Sequence, residues 1–193
     1  MTDLALSTLR LDSHALQVLA HPLRSRLLTA LRVNGPATAT ALAEALQTNT
    51  GATSYHLRKL ASVGLVEETD QGRGRERWWR AATEKHEWIE RDVAGDADGE
   101  AAADWLRRHY LRSFIDHYEG WLDAQARWPL DWRDAAGASD VVLRLTPDRL
   151  AAFQAEFQAM YERYRDGQAP DDDPAQRAIQ VYLYAFPFEA DPS

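Results

Sequence analysis

The 193-residue sequence predicts a mainly α protein with a small β component, an α+β chain whose strands come in short runs. Three observations carry that expectation. Leucines recur at three- and four-residue steps through residues 13–63, with caps and breaks between the runs. A glycine-cornered stretch rich in arginine, QGRGRERWWRA at 71–81, reads as a hairpin. Beyond residue 104 a long amphipathic stretch precedes two alternating apolar runs that flank one more helix.

In chain order, Ser13 to Val33 reads as a helix pair broken at His21-Pro22, because proline lacks an amide hydrogen and suits a first turn. Leu16, Leu19, Leu23, Leu27, Leu28 and Leu31 give it an inward stripe, and Asn34-Gly35-Pro36 stops it. Thr38 or Thr40 caps a short helix carrying Ala41, Leu42, Ala45 and Leu46. Gln47-Thr48-Asn49 turns the chain into a second helix, Thr50 to Val63, whose Thr53, Leu57 and Leu60 face inward. Gly64 stands where a left-handed residue closes that helix. Leu65–Glu68 and Arg77–Arg80 are the two strands of the hairpin, with Trp78 and Trp79 on opposite faces.

Residues 83–103 read as a polar connector with a short helix near Trp88 and a loop at 94–99. Asp104 to Trp128 is one long helix with two apolar stripes, so each side needs a cover, the chain's own domain on one and a second copy on the other. Val141, Leu143 and Leu145 alternate as a strand; Thr146-Pro147-Asp148 opens a helix to about Arg165; Ile179, Val181 and Leu183 alternate as a second strand, expected parallel to the first. The resulting organisation is a domain at 12–82, the connector, and a dimerisation or effector domain at 104–193.

Cysteine is absent, which excludes disulfides and thiolate metal sites. No segment approaches about 18 consecutive apolar residues, and the start lacks the pattern of a signal peptide, so a cytoplasmic chain with no membrane partner is expected. The net charge of −8 is unevenly spread. Residues 12–82 hold nine Lys/Arg against six Asp/Glu, whereas 83–193 hold twelve against 23. A polyanion would therefore meet the N-terminal part and be repelled by the rest.

The two-helix unit and basic hairpin together form the pattern with which a winged helix-turn-helix grips duplex DNA. With Thr53, Leu57 and Leu60 inward, Thr50, Gly51, Ser54, Tyr55, Arg58 and Lys59 point outward. Hydroxyls read base edges, Gly51 permits close approach, Tyr55 suits a sugar or a thymine methyl, and Arg58 and Lys59 suit phosphates or guanine. Arg73, Arg75 and Arg77 alternate onto one side of the hairpin, where arginine favours a narrow minor groove or a phosphate. The plainer reading is a solvated helix face and a hairpin blunted by charge against edge pairing.

HPLRSRLL at 21–28, the helix pair, Ser54–Val66 (SYHLRKLASVGLV) and the GRGRERWW hairpin resemble the ArsR-type arsenical-resistance repressors and their winged-helix relatives. The characteristic segment of that family runs roughly S-x-H-L-x-x-L-x-x-A-G-L-V, and Val63 here replaces its usual alanine. The resemblance spans residues 12–82 and implies a homodimeric transcriptional regulator, most often a repressor, on a palindromic operator. The C-terminal strand–helix–strand resembles an extension found in a subset of actinobacterial-type regulators.

Family metal sensors use cysteines or Asp/His/Glu ligands on the terminal dimer helix. Here His109 and His117 lie eight residues apart beside Asp116 and Glu119, a spacing that does not match, and no metal or other cofactor is expected. His56 fits either a phosphate contact or a half-buried core position, and His21 a helix end. Trp105, Trp121, Trp128, Trp132, Phe153, Phe157, Tyr161, Tyr182 and Tyr184 either line a pocket for a small-molecule effector or simply pack. No nucleophile elbow or phosphate-cradling glycine run is present, so no enzymatic activity is expected. A winged helix that binds protein partners, and a ligand-sensing C-terminal domain, stand as the alternative functions.

Overall fold

The leucine runs close around one another at the N-terminal end of the chain. The computed structural model describes residues 8–69, 76–166 and 176–189. The chain divides into two compact units, Met1–Arg112 and Ser113–Ser193.

In the first unit, β1 (Thr8–Arg10) leads into α1 (Ser13–Leu19), capped by Asp12 accepting from the Ala15 amide at 2.8 Å, and α2 (Pro22–Asn34). His21 is the N-cap of α2: its Nδ1 accepts from the Leu23 amide at 3.2 Å, and Pro22 occupies the first turn. β2 (Ala37–Thr38) precedes α3 (Ala39–Ala45), and Thr38 caps it through the Ala41 amide. α4 (Thr50–Ala61) starts at Asn49, whose side chain accepts from the Ala52 amide at 2.8 Å. Past its last residue, Ala61, the chain turns away at Gly64 (φ +73°), where the Leu65 amide reaches back to the Leu60 carbonyl at 3.1 Å, the wrapped geometry that favours glycine. Gln47 takes the left-handed conformation in the turn between the helices.

β3 (Val66–Thr69) and β4 (Trp78–Ala81) form an antiparallel pair, with Glu67 opposite Arg80 and Glu68 opposite Trp79. β2 adds antiparallel on the other edge of β4, giving the order β2-β4-β3. β5 (Lys85–Glu87) pairs in parallel with β1, a pairing no periodicity announces. α5 (Glu90–Val93) and α6 (Ala97–Ala124) follow. The long helix thus begins seven residues before its expected start. Acidic side chains turn the expected 94–99 loop into a helix entry: Asp96 accepts from the Asp98 amide and Glu100 from the Gly95 amide. Close packing fixes the same place, because a Cβ on Gly99 would lie 2.5 Å from Ser13 Oγ. The core joins Leu16 and Leu19 of α1, Leu27 and Leu31 of α2, Leu57 and Leu60 of α4, Trp79 of β4 and Leu106 of α6, all 4% exposed or less.

The second unit holds the end of α6, a 3-10 turn (Gln125–Arg127), α7 (Leu130–Ala135) and α8 (Pro147–Asp166). The fold class holds: mainly α, with two small sheets among the described residues. The expected C-terminal strands at 141–145 and 178–186 are corrected, since neither belongs to a strand among the described residues. Alternation marks a strand only when something covers one face. Here Val141, Leu143, Ile179 and Val181 are each more than half exposed, so no burial rewards pairing. Aromatic rings gather instead: Phe114 packs edge-on to Tyr182 at 5.0 Å and His117 Nδ1 lies 2.7 Å from the Tyr182 hydroxyl. Among the described residues no helix is long and apolar enough to cross a membrane.

Candidate nucleic-acid interface

The core side of α4 decides what its other side presents. Thr53, Leu57 and Leu60 are fully buried, at steps of four and three. That leaves Thr50, Gly51, Tyr55, Arg58 and Lys59 exposed and Ser54 half-buried along the opposite strip. Arg58 and Lys59 lie in the last turn, where cations also complement the helix dipole. The Lys59 ammonium stands 5.9 Å from the centre of the half-exposed Tyr55 ring, a cation–π contact that orders both.

An open cleft of about 320 Å³ runs between this strip, the start of α3 and the base of the hairpin. Thr50, Ser54 and Arg58 line it from α4, Thr38, Ala39 and Thr40 from the α3 end, and Glu76, Arg77 and Trp79 from the hairpin. Four of the nine site residues read from the sequence therefore meet in one cavity. Gly51, Tyr55 and Lys59 lie on the adjoining surface of α4. Arg73 and Arg75 lie outside the described residues. The sequence reading missed Thr38, Thr40, Glu76 and Trp79 as lining groups. Thr38 was visible only as a cap, and its second position in the cleft depends on β2 joining β4.

The cations here are not free of acids. Arg77 Nη1 donates to Glu68 Oε1 at 3.0 Å, and Arg80 pairs with Glu67 at 2.6 Å. All four side chains are about half exposed or more, so each pair is weak in water and readily exchanged.

Behind the strip, the His21 and His56 rings approach to 4.5 Å, and His56 meets Tyr55 edge-on at 5.1 Å. Burial, followed by the Arg24 charge, pulls the His21 pKa below its ordinary value. For His56 burial is again the first cause, with His21 and Arg24 adding to it. Both imidazoles are consequently biased toward the neutral form, and the cationic character of the site rests on arginine and lysine.

Comparison with known proteins comes to the same part of the chain. Residues 19–69 match the family model described as Helix-turn-helix domain. No curated protein sequence matches significantly. Among solved structures the chain is similar to the homodimeric winged helix-turn-helix DNA-binding domain (fragment 1–100) of a possible ArsR-family transcriptional regulator from Mycobacterium bovis. That alignment has 24% identity, 54% of this chain and 77% of that one covered, and a TM-score of 0.35. It is similar also to a possible transcriptional regulator for arsenical resistance, at 29% identity over 66% of this chain and 99% of that one, with a TM-score of 0.32. A third is a MarR family regulator from Neisseria meningitidis, at 17% identity, coverages of 79% and 80%, and a TM-score of 0.30. At such scores the alignments add nothing to the fold already described. The matched segment and the β3–β4 wing that follows it make the N-terminal part of this chain a winged helix-turn-helix domain.

Proposed function

We propose that the chain is a homodimeric, sequence-specific DNA-binding regulator that acts as a repressor on a palindromic operator. The single observation that carries this reading is the cleft, in which hydroxyls of Thr50 and Ser54 stand beside the guanidinium groups of Arg58 and Arg77. Hydroxyls and guanidinium groups are the donors that reach base edges and phosphates. In this reading α4 enters the major groove, with Thr50, Gly51, Ser54, Tyr55, Arg58 and Lys59 toward the DNA. The wing lies along the neighbouring backbone and brings Arg77 to it, and Arg73 and Arg75, expected from the sequence to make phosphate or minor-groove contacts, belong to the same proposal. Two copies present their α4 helices to successive grooves about 34–36 Å apart. Support for a second copy comes from α6, where Leu111, Ile115 and Leu122 are each more than 40% exposed.

Affinity for duplex DNA should fall with salt, at a log–log slope of about −0.9 for each phosphate engaged. Arg58→Ala is expected to weaken binding to every sequence, whereas Ser54→Ala or Tyr55→Ala shifts which base pair is preferred, by about 1–3 kcal/mol at that position. Fluorescence anisotropy with duplexes selected from random sequence measures both. A flat salt response breaks the reading.

A further inference from the structure

The wing places its ion pairs on two different faces. Side chains alternate along β4, so Arg77 and Trp79 point to one side and Trp78 and Arg80 to the other. Arg77 and Trp79 line the cleft with α4, while Trp78 and Arg80 do not. Glu68 sits opposite Trp79 in the ladder and so shares the cleft face; Glu67, opposite Arg80, shares the outer one. Two chemically alike pairs result, Arg77–Glu68 at 3.0 Å over the cleft and Arg80–Glu67 at 2.6 Å away from it.

We propose that Glu68 is an affinity-setting residue of the DNA site: its carboxylate holds Arg77 in the free protein, standing in for the phosphate that must displace it. The inference rests on the reading of this face as DNA-binding and adds to it a built-in competitor. Its geometry suits that role. The cleft offers hydroxyls, the Arg58 guanidinium and the Glu76 carboxylate beside Arg77, and Glu68, from the neighbouring strand, holds Arg77 through Nη1, so an incoming phosphate meets Arg77 already engaged. Because both partners are exposed, the swap is reversible.

The swap has a signature in salt. When a phosphate captures a free arginine, the DNA releases a condensed cation and the affinity falls as salt rises. When the arginine is first taken from Glu68, the freed carboxylate draws a cation back from solution. The uptake offsets part of the release, so the Arg77 contact marks the salt slope of the native protein less than a free arginine would. Replacing the carboxylate by an amide of the same shape removes the uptake.

The test compares the full-length chain with Glu68→Gln and Glu67→Gln, each binding a fluorescein-labelled mixed-sequence duplex across a range of NaCl concentrations. Glu68→Gln is expected to bind about threefold to tenfold tighter at low salt, with a steeper log–log slope, by at most about 0.9. Glu67→Gln removes the same charge from the outer face and should leave affinity and slope close to native. The gain should vanish when Arg77→Ala is added to Glu68→Gln. Equal gains from both glutamine variants mean a change of overall charge only and overturn the proposal. Weaker binding by Glu68→Gln, with an unchanged melting temperature, also overturns it, since Glu68 would then be positioning Arg77 for DNA. Native protein that binds no duplex sinks the DNA reading and this inference together, whereas native binding with Glu68→Gln unchanged sinks only the role of Glu68.

Discussion

Residues 8–112 and residues 113–189 are built from similar amphipathic patterns and end very differently. Every fully buried hydrophobic side chain among the described residues belongs to the first unit, from Leu11 to Leu106. In the second, Leu122, Val141, Leu143, Met160, Tyr164 and Ile179 all stay well exposed. Periodicity states only that one side of an element is apolar; it does not say which chain supplies the cover. In the first unit the covers are the chain's own helices and wing. In the second the same signal is left for something else, and the proposed second copy is the reading that uses it.

The sharpest way to break this contrast is a pair of leucine truncations. Leu57 is fully buried on α4, so Leu57→Ala should cost about 2–5 kcal/mol, seen as a lower urea midpoint at unchanged slope. Leu143 is 55% exposed, and Leu143→Ala in dilute protein should stay within about 0.5 kcal/mol of native. If copies associate through this unit, the Leu143 penalty should grow as protein concentration rises, by mass action. A dilution-independent loss as large as that of Leu57 would show that the second unit has a core of its own.

The next effect tests how tightly the first unit is closed at the root of α6. A methyl group on Gly99 would stand 2.5 Å from Ser13 Oγ and 3.1 Å from Ser13 Cβ. Rotation of the hydroxyl cannot relieve the second contact. Gly99→Ala should therefore destabilise by about 1–3 kcal/mol despite the better helix propensity of alanine. Adding Ser13→Gly should restore much of the loss in thermal unfolding, because it removes both atoms. A stabilised Gly99→Ala would mean that α1 and α6 part easily.

These two positions also mark what a sequence can tell. The spacing of Leu57 to Thr53 and Leu60 points it inward, and all three are buried. Gly64 is legible, and the cap of α4 narrows to Thr48 or Asn49 with the structure choosing Asn49, because caps are local chemistry written within three residues of the helix end. The root of α6 was not: AGDADG reads as a turn until Asp96 and Glu100 are seen folding back onto the helix entry. The β1–β5 pairing joins residues 77 apart through two three-residue strands, too short to show alternation. The cleft was half legible. Its α4 side follows from periodicity, while Thr40 and Glu76 arrive from other elements and are brought there by the sheet order β2-β4-β3. The runs at 141–145 and 178–186 alternate, and alternation is all that a strand announces locally. What they lack is a neighbour, and a neighbour is not a local property.

The smallest of the three effects concerns a group that no pattern singled out. Arg32, at the end of α2, donates from Nη1 to His86 Nδ1 at 2.8 Å, and its Nε donates to the Thr83 carbonyl. A guanidinium can only donate, so Nδ1 accepts, the proton sits on Nε2, and Nε2 donates to the Tyr110 hydroxyl of α6 at 2.7 Å. Burial first, then the charges of Arg32 and Lys85, drive the His86 pKa from 6.5 down to about 3. The unfolded chain thus takes up a proton near pH 6.5 that the folded chain refuses until about pH 3. Stability from this group is complete above pH 6.5 and is lost as pH falls through that window, by about 1.4 kcal/mol per pH unit. His86→Gln keeps an acceptor for Arg32 and a donor for Tyr110 without the titration. Its stability at pH 7 should lie below that of the native chain, and the gap should narrow by about 1.4 kcal/mol between pH 6 and pH 5. Only residue 86 differs between the two proteins, so every other pH-dependent contribution cancels in the difference. Parallel curves from urea unfolding across that range would place His86 in contact with water, and the first unit would then be less closed around α6 than its buried leucines imply.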